Sequence, residues 1–360
     1  MKKLPSPFYK SLLNAIVFIA GVNYAVMAQD PLYSQFYAAS MYLNPALTGS
    51  SNIPRFTLNY RNQWPALSAN YVTTSFSADH YIEKYNSGIG LLFTSDNQYA
   101  DLSTTNIGLL YSYNQTITDN LSARFGVQGS YNSRGIGNKW DRFTFGDQLD
   151  QNGNPTGNPT NDPIASKNNP QINYVDFSTG TVLYNDNFWA GLGVKHLNRP
   201  NYNLIKDTAT PVRLPMLFSV HGGYKFFFQN GLIDGGFGED LDNEKSLSPS
   251  FLYEKRGPYQ HLDVGMYLTY APMIIGAWYR GLPVFGQDLE GSTRNVASVF
   301  MIGYKQDNLT FGYSYDMNLL SKLTNTGGAH EISISYQLAL DKTSRSYKKK
   351  KAKPIPCPKL

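Results

Sequence analysis

From Ile53 onward the chain repeats one pattern: short segments in which every second residue is apolar, separated by Asn, Asp, Gly and Pro. Ile107, Leu109, Tyr111 and Tyr113 alternate with Gly108, Leu110 and Ser112. Leu121, Ala123, Phe125, Val127, Gly129 and Tyr131 form one face; Ser122, Arg124, Gly126, Gln128 and Ser130 form the other. Leu309, Phe311, Tyr313 and Tyr315, and later Ile332, Ile334, Tyr336 and Leu338, repeat the arrangement. A period of two with one apolar face is the mark of a β-strand between two environments. Fourteen such segments begin near Arg55, Tyr71, Gly88, Thr104, Leu121, Ile172, Phe188, Met216, Ser246, Tyr259, Met273, Val296, Leu309 and Ala329. Most run to the length of a tilted membrane strand, about nine to eleven residues. Strands of globular proteins more often run about five or six. The pattern predicts an all-β fold, a transmembrane antiparallel β-barrel of about 14 strands.

The connections give an independent check, because outer-membrane barrels have short turns on the periplasmic side and long loops outside. With a periplasmic N-terminus, the outer connections include Asn132–Gln171, Asn198–Arg213, Leu282–Asn295 and Asn318–Gly328. The inner ones include Glu83–Ser87, Thr118–Asn120, Asn185–Asn187, Ala271–Pro272 and Gln306–Asn308. Long and short alternate as a barrel requires. Gln229–Lys245 breaks the rule: it falls on the short side yet is long, which points to an extra strand or an excursion there.

The two ends differ from the body. Residues 1–28 read as a signal peptide: three lysines and no acid in Met1–Lys10, an apolar stretch Ser11–Val22, then Val26-Met27-Ala28 before a cut at Gln29. Beyond it no run approaches the eighteen or so apolar residues of a spanning helix. Any crossing is therefore made by strands, since only helices and closed barrels satisfy every backbone group in hydrocarbon. Residues 29–53 form a plug-like segment before the first strand, 54–340 the barrel wall, and 341–360 a basic tail with Lys348–Lys351, Lys353 and Lys359. Its composition predicts disorder in the periplasm.

Composition sharpens this picture. Charged residues make up 16% and aromatics 14% of the chain, with 27 tyrosines and 31 glycines. Low charge and abundant tyrosine suit a lipid-facing sheet with aromatic girdles at its interfaces. The net charge of +5 is carried by the ends, because residues 1–28 hold three lysines and the tail holds eight Lys and Arg. The body between them is net acidic, so no folded basic surface exists for nucleic acid. The single cysteine, Cys357, forms no internal disulfide and reads as an exposed tail thiol.

The chemistry of enzymes and metal sites is not written here. His80, His196, His221, His261 and His330 are scattered and never at metal-ligand spacing. No Gly-x-Ser-x-Gly elbow occurs, and Gly191, Gly193, Gly235, Gly236 and Gly238 fall in or beside strands, where they read as relief of barrel curvature. In the large polar loop 132–171, Asp147, Asp150 and Asn152 do not match an EF-hand spacing. A non-enzymatic protein without cofactor or metal is expected.

A longer motif narrows the reading. Gln29-Asp-Pro-Leu-Tyr-Ser-Gln-Phe-Tyr-Ala-Ala-Ser-Met-Tyr-Leu-Asn-Pro-Ala-Leu-Thr-Gly49 resembles the N-terminal hallmark of the PorP/SprF family of the type IX secretion and gliding machinery of Bacteroidota. Further matches are Tyr60-Arg-Asn-Gln-Trp-Pro65, Gly88-Ile-Gly-Leu-Leu-Phe93 and Gly328-Ala-His-Glu-Ile-Ser-Ile-Ser-Tyr336. The basic tail departs from the family's usual ending at the last strand. The resemblance implies an outer-membrane barrel, in a Gram-negative Bacteroidota bacterium, that partners a periplasmic ring lipoprotein, a large secreted adhesin, or both, besides the lipid around it.

Read on its own chemistry, the segment before the first strand is too patterned for a loose leader. Tyr33, Phe36, Tyr37, Tyr42 and Leu43 need burial, and Asn44-Pro45 signals a turn. Gln35, Phe36, Tyr37, Tyr42, Asn44, Pro45 and Ala46 are the candidate residues for a lumen plug or a docking surface at the periplasmic mouth. The alternative is a segment that packs on the inner wall only to stabilise the fold. Asn44-Pro45-Ala46 is also similar to the plug of the FadL fatty-acid channels, which have fourteen strands. The barrel is thus FadL-like in form, and a channel for small hydrophobic substrates is the competing function. An enzymatic barrel is a distant third.

Overall fold

The structure is a computed structural model. It describes residues 30–51, 53–67, 70–98, 102–136, 144–150, 152, 154–161, 171–204, 211–229, 232–234, 244–257, 259–282, 297–319, 325–338 and 355–358. The chain divides into two units, residues 1–32 and residues 33–360, and the second contains the sheet. The signal-peptide expectation for residues 1–28 lies outside the described residues.

A short helix α1 (Ser40–Leu43) and a 3-10 turn (Pro45–Leu47) precede the sheet. The strands are β1 (Arg55–Gln63), β2 (Tyr71–Ile82), β3 (Ser87–Gln98), β4 (Leu102–Thr116), β5 (Ser122–Gly135), β6 (Gln171–Tyr184) and β7 (Phe188–Lys195), followed by β8 (Leu217–Tyr224), β9 (Phe226–Gln229) and β10 (Leu232–Asp234). The remainder are β11 (Lys245–Arg256), β12 (Tyr259–Tyr270), β13 (Met273–Leu282), β14 (Ala297–Gln306), β15 (Leu309–Asn318) and β16 (Ala329–Gln337).

Sequential neighbours pair antiparallel, and β1 pairs β16 from Arg55↔Gln337 to Gln63↔Ala329, which closes the sheet on itself. β8 and β9 make up a single strand of the wall. Gly223 pairs Ser250 and Phe226 pairs Leu247 in one continuous register, interrupted around Tyr224 and Lys225. Pro249 lies opposite that gap and has no N–H to give the ladder, which accounts for the break. The barrel is therefore a closed antiparallel barrel of 14 strands, with β10 paired to β9 as a short extra strand. That extra strand occupies part of Gln229–Lys245, where the turn rule failed. Residues 235–243, including Gly235, Gly236 and Gly238, lie outside the described residues.

The strand faces are inverted relative to a soluble protein. In β1, Arg55, Thr57, Asn59 and Arg61 are buried while Phe56, Leu58 and Tyr60 are exposed. In β16, Glu331, Ser333 and Ser335 are buried while Ile332 and Tyr336 are exposed. Leu109, halfway along β4, is 70% exposed. In β1 and β16 polar side chains point into the barrel and apolar ones out, and an outer face of apolar side chains is stable only where it meets hydrocarbon. Exposed tyrosines stand near both strand ends, Tyr270, Tyr304 and Tyr336 at one and Tyr60, Tyr131 and Tyr279 at the other, as interfacial anchors do. No helix among the described residues is long and apolar enough to cross a membrane.

Candidate functional site

The lumen is occupied by the segment before β1. Tyr33 to Ser51 is buried throughout apart from the half-buried Tyr42. It runs through the barrel from the long-loop end, where Ser34 and Gln35 meet the far ends of β1, β13, β15 and β16, to the short-turn end, where Gly49 meets Asp79 of β2.

Local chemistry sets the turn in the middle. Asn44 is extended, as a residue before proline must be, and caps the 3-10 turn by accepting a hydrogen bond from Ala46 N at 2.9 Å. Pro45 at the first position of the turn has no N–H to satisfy. With its oxygen used locally, the amide nitrogen of Asn44 is free for the wall. It donates to Leu192 O at 3.0 Å and Thr181 O at 3.3 Å, and His221 Nε2 lies 3.2 Å from it. Two wall glycines make this approach possible. A Cβ at Gly126 would collide with the backbone of Pro45 and Ala46, and one at Gly180 with the Asn44 side chain.

The long-loop end of the segment sits in a charged cluster drawn from the wall strands. Arg61 pairs with Asp316 at 2.7 Å and Glu331 at 3.2 Å, and Arg280 pairs with Asp263 and Asp316 at 2.8 Å each. Ser34 joins them. Its hydroxyl donates to Asp316 at 2.7 Å and accepts from Arg61 at 2.7 Å, while its backbone N–H donates to Glu331 at 2.7 Å. Gln35 donates its backbone N–H to Glu331 at 3.1 Å and its amide to Glu331 O at 3.0 Å, and accepts from Ser333 at 2.6 Å. Such a cluster is a poor source of net stability, because desolvation offsets its attraction. What it supplies is position: arginines of the wall hold the carboxylates, and Glu331 is aimed at backbone N–H groups of the plug.

Between these polar ends the contact is apolar and aromatic. Phe36 meets Trp278 edge to face at 4.9 Å, and Tyr37 meets Trp189 at 5.7 Å. The Trp189 ring N–H donates to the Tyr37 hydroxyl at 2.6 Å. Lys195 lies 3.4 Å over the ring of Tyr42. Near the short-turn end, Thr48 O accepts from Ser112 at 2.7 Å and Arg124 at 3.2 Å, and Arg55 binds Asp79 at 3.0 Å and Ser40 at 3.0 Å.

Gln35, Phe36, Tyr37, Asn44, Pro45 and Ala46 thus share one continuous contact with the inner wall, and Tyr42 stands at its half-exposed margin. Sequence reading missed Ser34, Thr48 and the wall residues Arg61, Arg280, Asp316 and Glu331. The four wall residues lie on the polar side of their strands' alternation, Arg61 and Glu331 also within the family-like motifs, and Ser34 and Thr48 lie within the N-terminal motif. Gly191 and Gly193, read as curvature relief, also make room in the lumen, since a Cβ there would strike His221 and the Ser219 hydroxyl. The thiol of Cys357 is a correction. It is 6% exposed and lies with Ile355 in the same apolar cluster as Phe36, Tyr37, Tyr267 and Trp278. Tail residues 341–354 and 359–360 are outside the described residues, while Ile355–Pro358 are buried. The lysine-rich composition of the tail obscured that its Ile-Pro-Cys-Pro part carries no charge.

A closed barrel with an apolar outer face and a lumen filled by its own N-terminal segment is a plugged transmembrane β-barrel. Comparison with known proteins gives the particular kind. The model of the family described as type IX secretion system membrane protein PorP/SprF matches residues 25–336, and the chain belongs to that family. A membrane protein of that system that crosses with strands fits the outer membrane. Among solved structures, the deletion mutant of the monoaromatic hydrocarbon channel TodX is similar with a TM-score of 0.46 and 11% identity, covering 84% of this chain and 94% of that one. The toluene transporter TbuX of Ralstonia pickettii is similar with a TM-score of 0.43 and 10% identity over the same shares. CdiB from Acinetobacter baumannii is similar with a TM-score of 0.43 and 8% identity, covering 79% of this chain and 60% of that one. No curated protein matches the sequence.

Proposed function

We propose that the protein is a non-enzymatic component of the type IX secretion and gliding machinery in the outer membrane of a Bacteroidota bacterium. It anchors or assists export of a large secreted adhesin, or joins the outer membrane to the periplasmic ring lipoprotein. The observation that carries this reading, beside the family, is the plug. Asn44 holds β6, β7 and β8 while Ser34 and Gln35 hold β1, β15 and β16, so the segment ties opposite walls together across the lumen. A barrel bridged in this way leaves its loops and rims as the working surfaces. Chemical cross-linking in isolated outer membranes, followed by affinity purification of the barrel, should recover secretion components or an adhesin. Recovery of lipid and no protein would overturn the proposal.

One observation favours a second reading, a channel for small hydrophobic substrates. Phe36, Tyr37, Tyr267 and Trp278 give part of the lumen an apolar lining. Uptake of a fluorescent fatty acid by cells with and without the gene separates the two, since a secretion component leaves uptake unchanged.

A further inference from the structure

The buried tail residues raise a question that the plug does not answer: what an apolar, proline-flanked tetrapeptide from the far end of the chain is doing inside the barrel. Ile355, Pro356, Cys357 and Pro358 are all buried, Ile355 to 1% exposure. Ile355 and Cys357 share a cluster with Phe36 and Tyr37 of the plug and with Leu252, Tyr267, Trp278 and Met301 of β11 to β14. Trp278 and Tyr267 meet edge to face at 5.2 Å, and Phe36 and Tyr37 lie 4.6 Å apart, so the lining is largely aromatic.

The peptide and the chamber suit each other for identifiable reasons. Prolines alternate along Pro354-Ile-Pro-Cys-Pro358, so only Ile355 and Cys357 bring a backbone N–H into the interior. Such a sequence is pre-set in the extended polyproline conformation and loses little freedom on binding. Docking of proline-rich segments on aromatic surfaces is a recurring mode of peptide recognition.

The tail also differs from the N-terminal plug in how it is attached. The plug runs directly into β1 and is tied by charged hydrogen bonds. The tail follows β16, and residues 339–354 between them can extend over roughly 50 Å. Being part of the same chain, the tail competes with a free peptide as an intramolecular ligand, so a free peptide has to be supplied in excess to take its place.

We propose that the aromatic chamber between the plug and β11 to β14 is an exchangeable binding site for a short apolar, proline-flanked peptide, occupied here in cis by Ile355–Pro358. The barrel then has two lumen elements, a fixed N-terminal plug and a C-terminal segment that leaves and returns. This goes beyond the secretion role and does not rest on it.

Cys357 is the only cysteine, so it reports its own burial. In outer-membrane vesicles, a water-soluble maleimide should label Cys357 on the order of tenfold or more slowly than in urea-unfolded protein. Free peptide of the sequence 353–360 with Ser in place of Cys357 should speed labelling of the folded protein, by taking the chamber in trans. Ile355→Asp should speed it without peptide. A barrel ending at Leu340 should bind the same peptide carrying a fluorophore, and Trp278→Ala should weaken that binding. If the shortened barrel does not fold, the peptide and Ile355→Asp measurements on the full chain decide alone. Labelling as fast in the folded as in the unfolded protein would overturn the proposal. So would labelling that saturating free peptide leaves unchanged, whatever the effect of Ile355→Asp.

Discussion

Replacing Asn44 with alanine tests whether the plug is fastened where the structure places it. The side chain is fully buried. It satisfies Ala46 N within the turn and donates to Leu192 O and Thr181 O of the wall. Alanine leaves a buried N–H without its partner, which costs about 1–3 kcal/mol, and removes two long-range bonds worth about 0.5–1.5 kcal/mol each. The sum, about 2–6 kcal/mol, belongs to the docking of the plug and not to the sheet, whose ladders are untouched. Hydrogen–deuterium exchange of the refolded protein reads the two separately. Leu47 and Thr48 amides, bonded to Asn44 O and Pro45 O, and the Gly49 amide, bonded to Asp79, should exchange roughly 30-fold to 20,000-fold faster. Amides of β14 to β16 should keep their rates. Unchanged exchange in residues 44–49 would refute the assigned contacts. An equal acceleration of plug and strands would show that Asn44 holds up the whole fold and that the segment is not a separable plug.

Three further outcomes follow from the contacts in the lumen. Gly126→Val places a side chain where the Pro45–Ala46 backbone lies, and should raise exchange across the plug. Gly129→Ala meets only the Phe177 ring, at 3.6 Å, and should leave exchange unchanged. Arg61→Leu leaves Asp263, Asp316 and Glu331 with one arginine for three carboxylates, and should destabilise the barrel by about 3–5 kcal/mol. Urea unfolding followed by the gel shift between folded and unfolded forms measures it, and an unmoved midpoint would contradict the buried cluster.

The wall was largely legible in the sequence because one face of every strand meets lipid. That requirement writes a period of two into β1, β4, β5, β15 and β16, and each of the fourteen predicted starts falls within two residues of a strand start in the structure. The register between β8 and β9 was not legible, since the interruption is caused by Pro249 on a neighbouring strand. The lumen was legible only in part. Phe36, Tyr37 and Leu43 announced a need for burial, but not the walls that would bury them. Arg61 and Asp316 are 255 positions apart in the chain and meet only because the sheet closes. Gly126 and Gly180 look like ordinary strand glycines until the plug is seen against them. Cys357 was hidden by its neighbours, because a run of lysines dominates any compositional reading of the tail.

A lumen occupied by the N-terminal segment should be closed to ions. Conductance in planar bilayers tests it most directly, with the wild-type barrel compared with one lacking Gln29–Gly49 and folding of both verified by the gel shift. The wild-type barrel should show no steady conductance, and the deletion variant should conduct in discrete steps. A wild-type barrel that conducts like an open porin, or a folded deletion variant that stays silent, would contradict it.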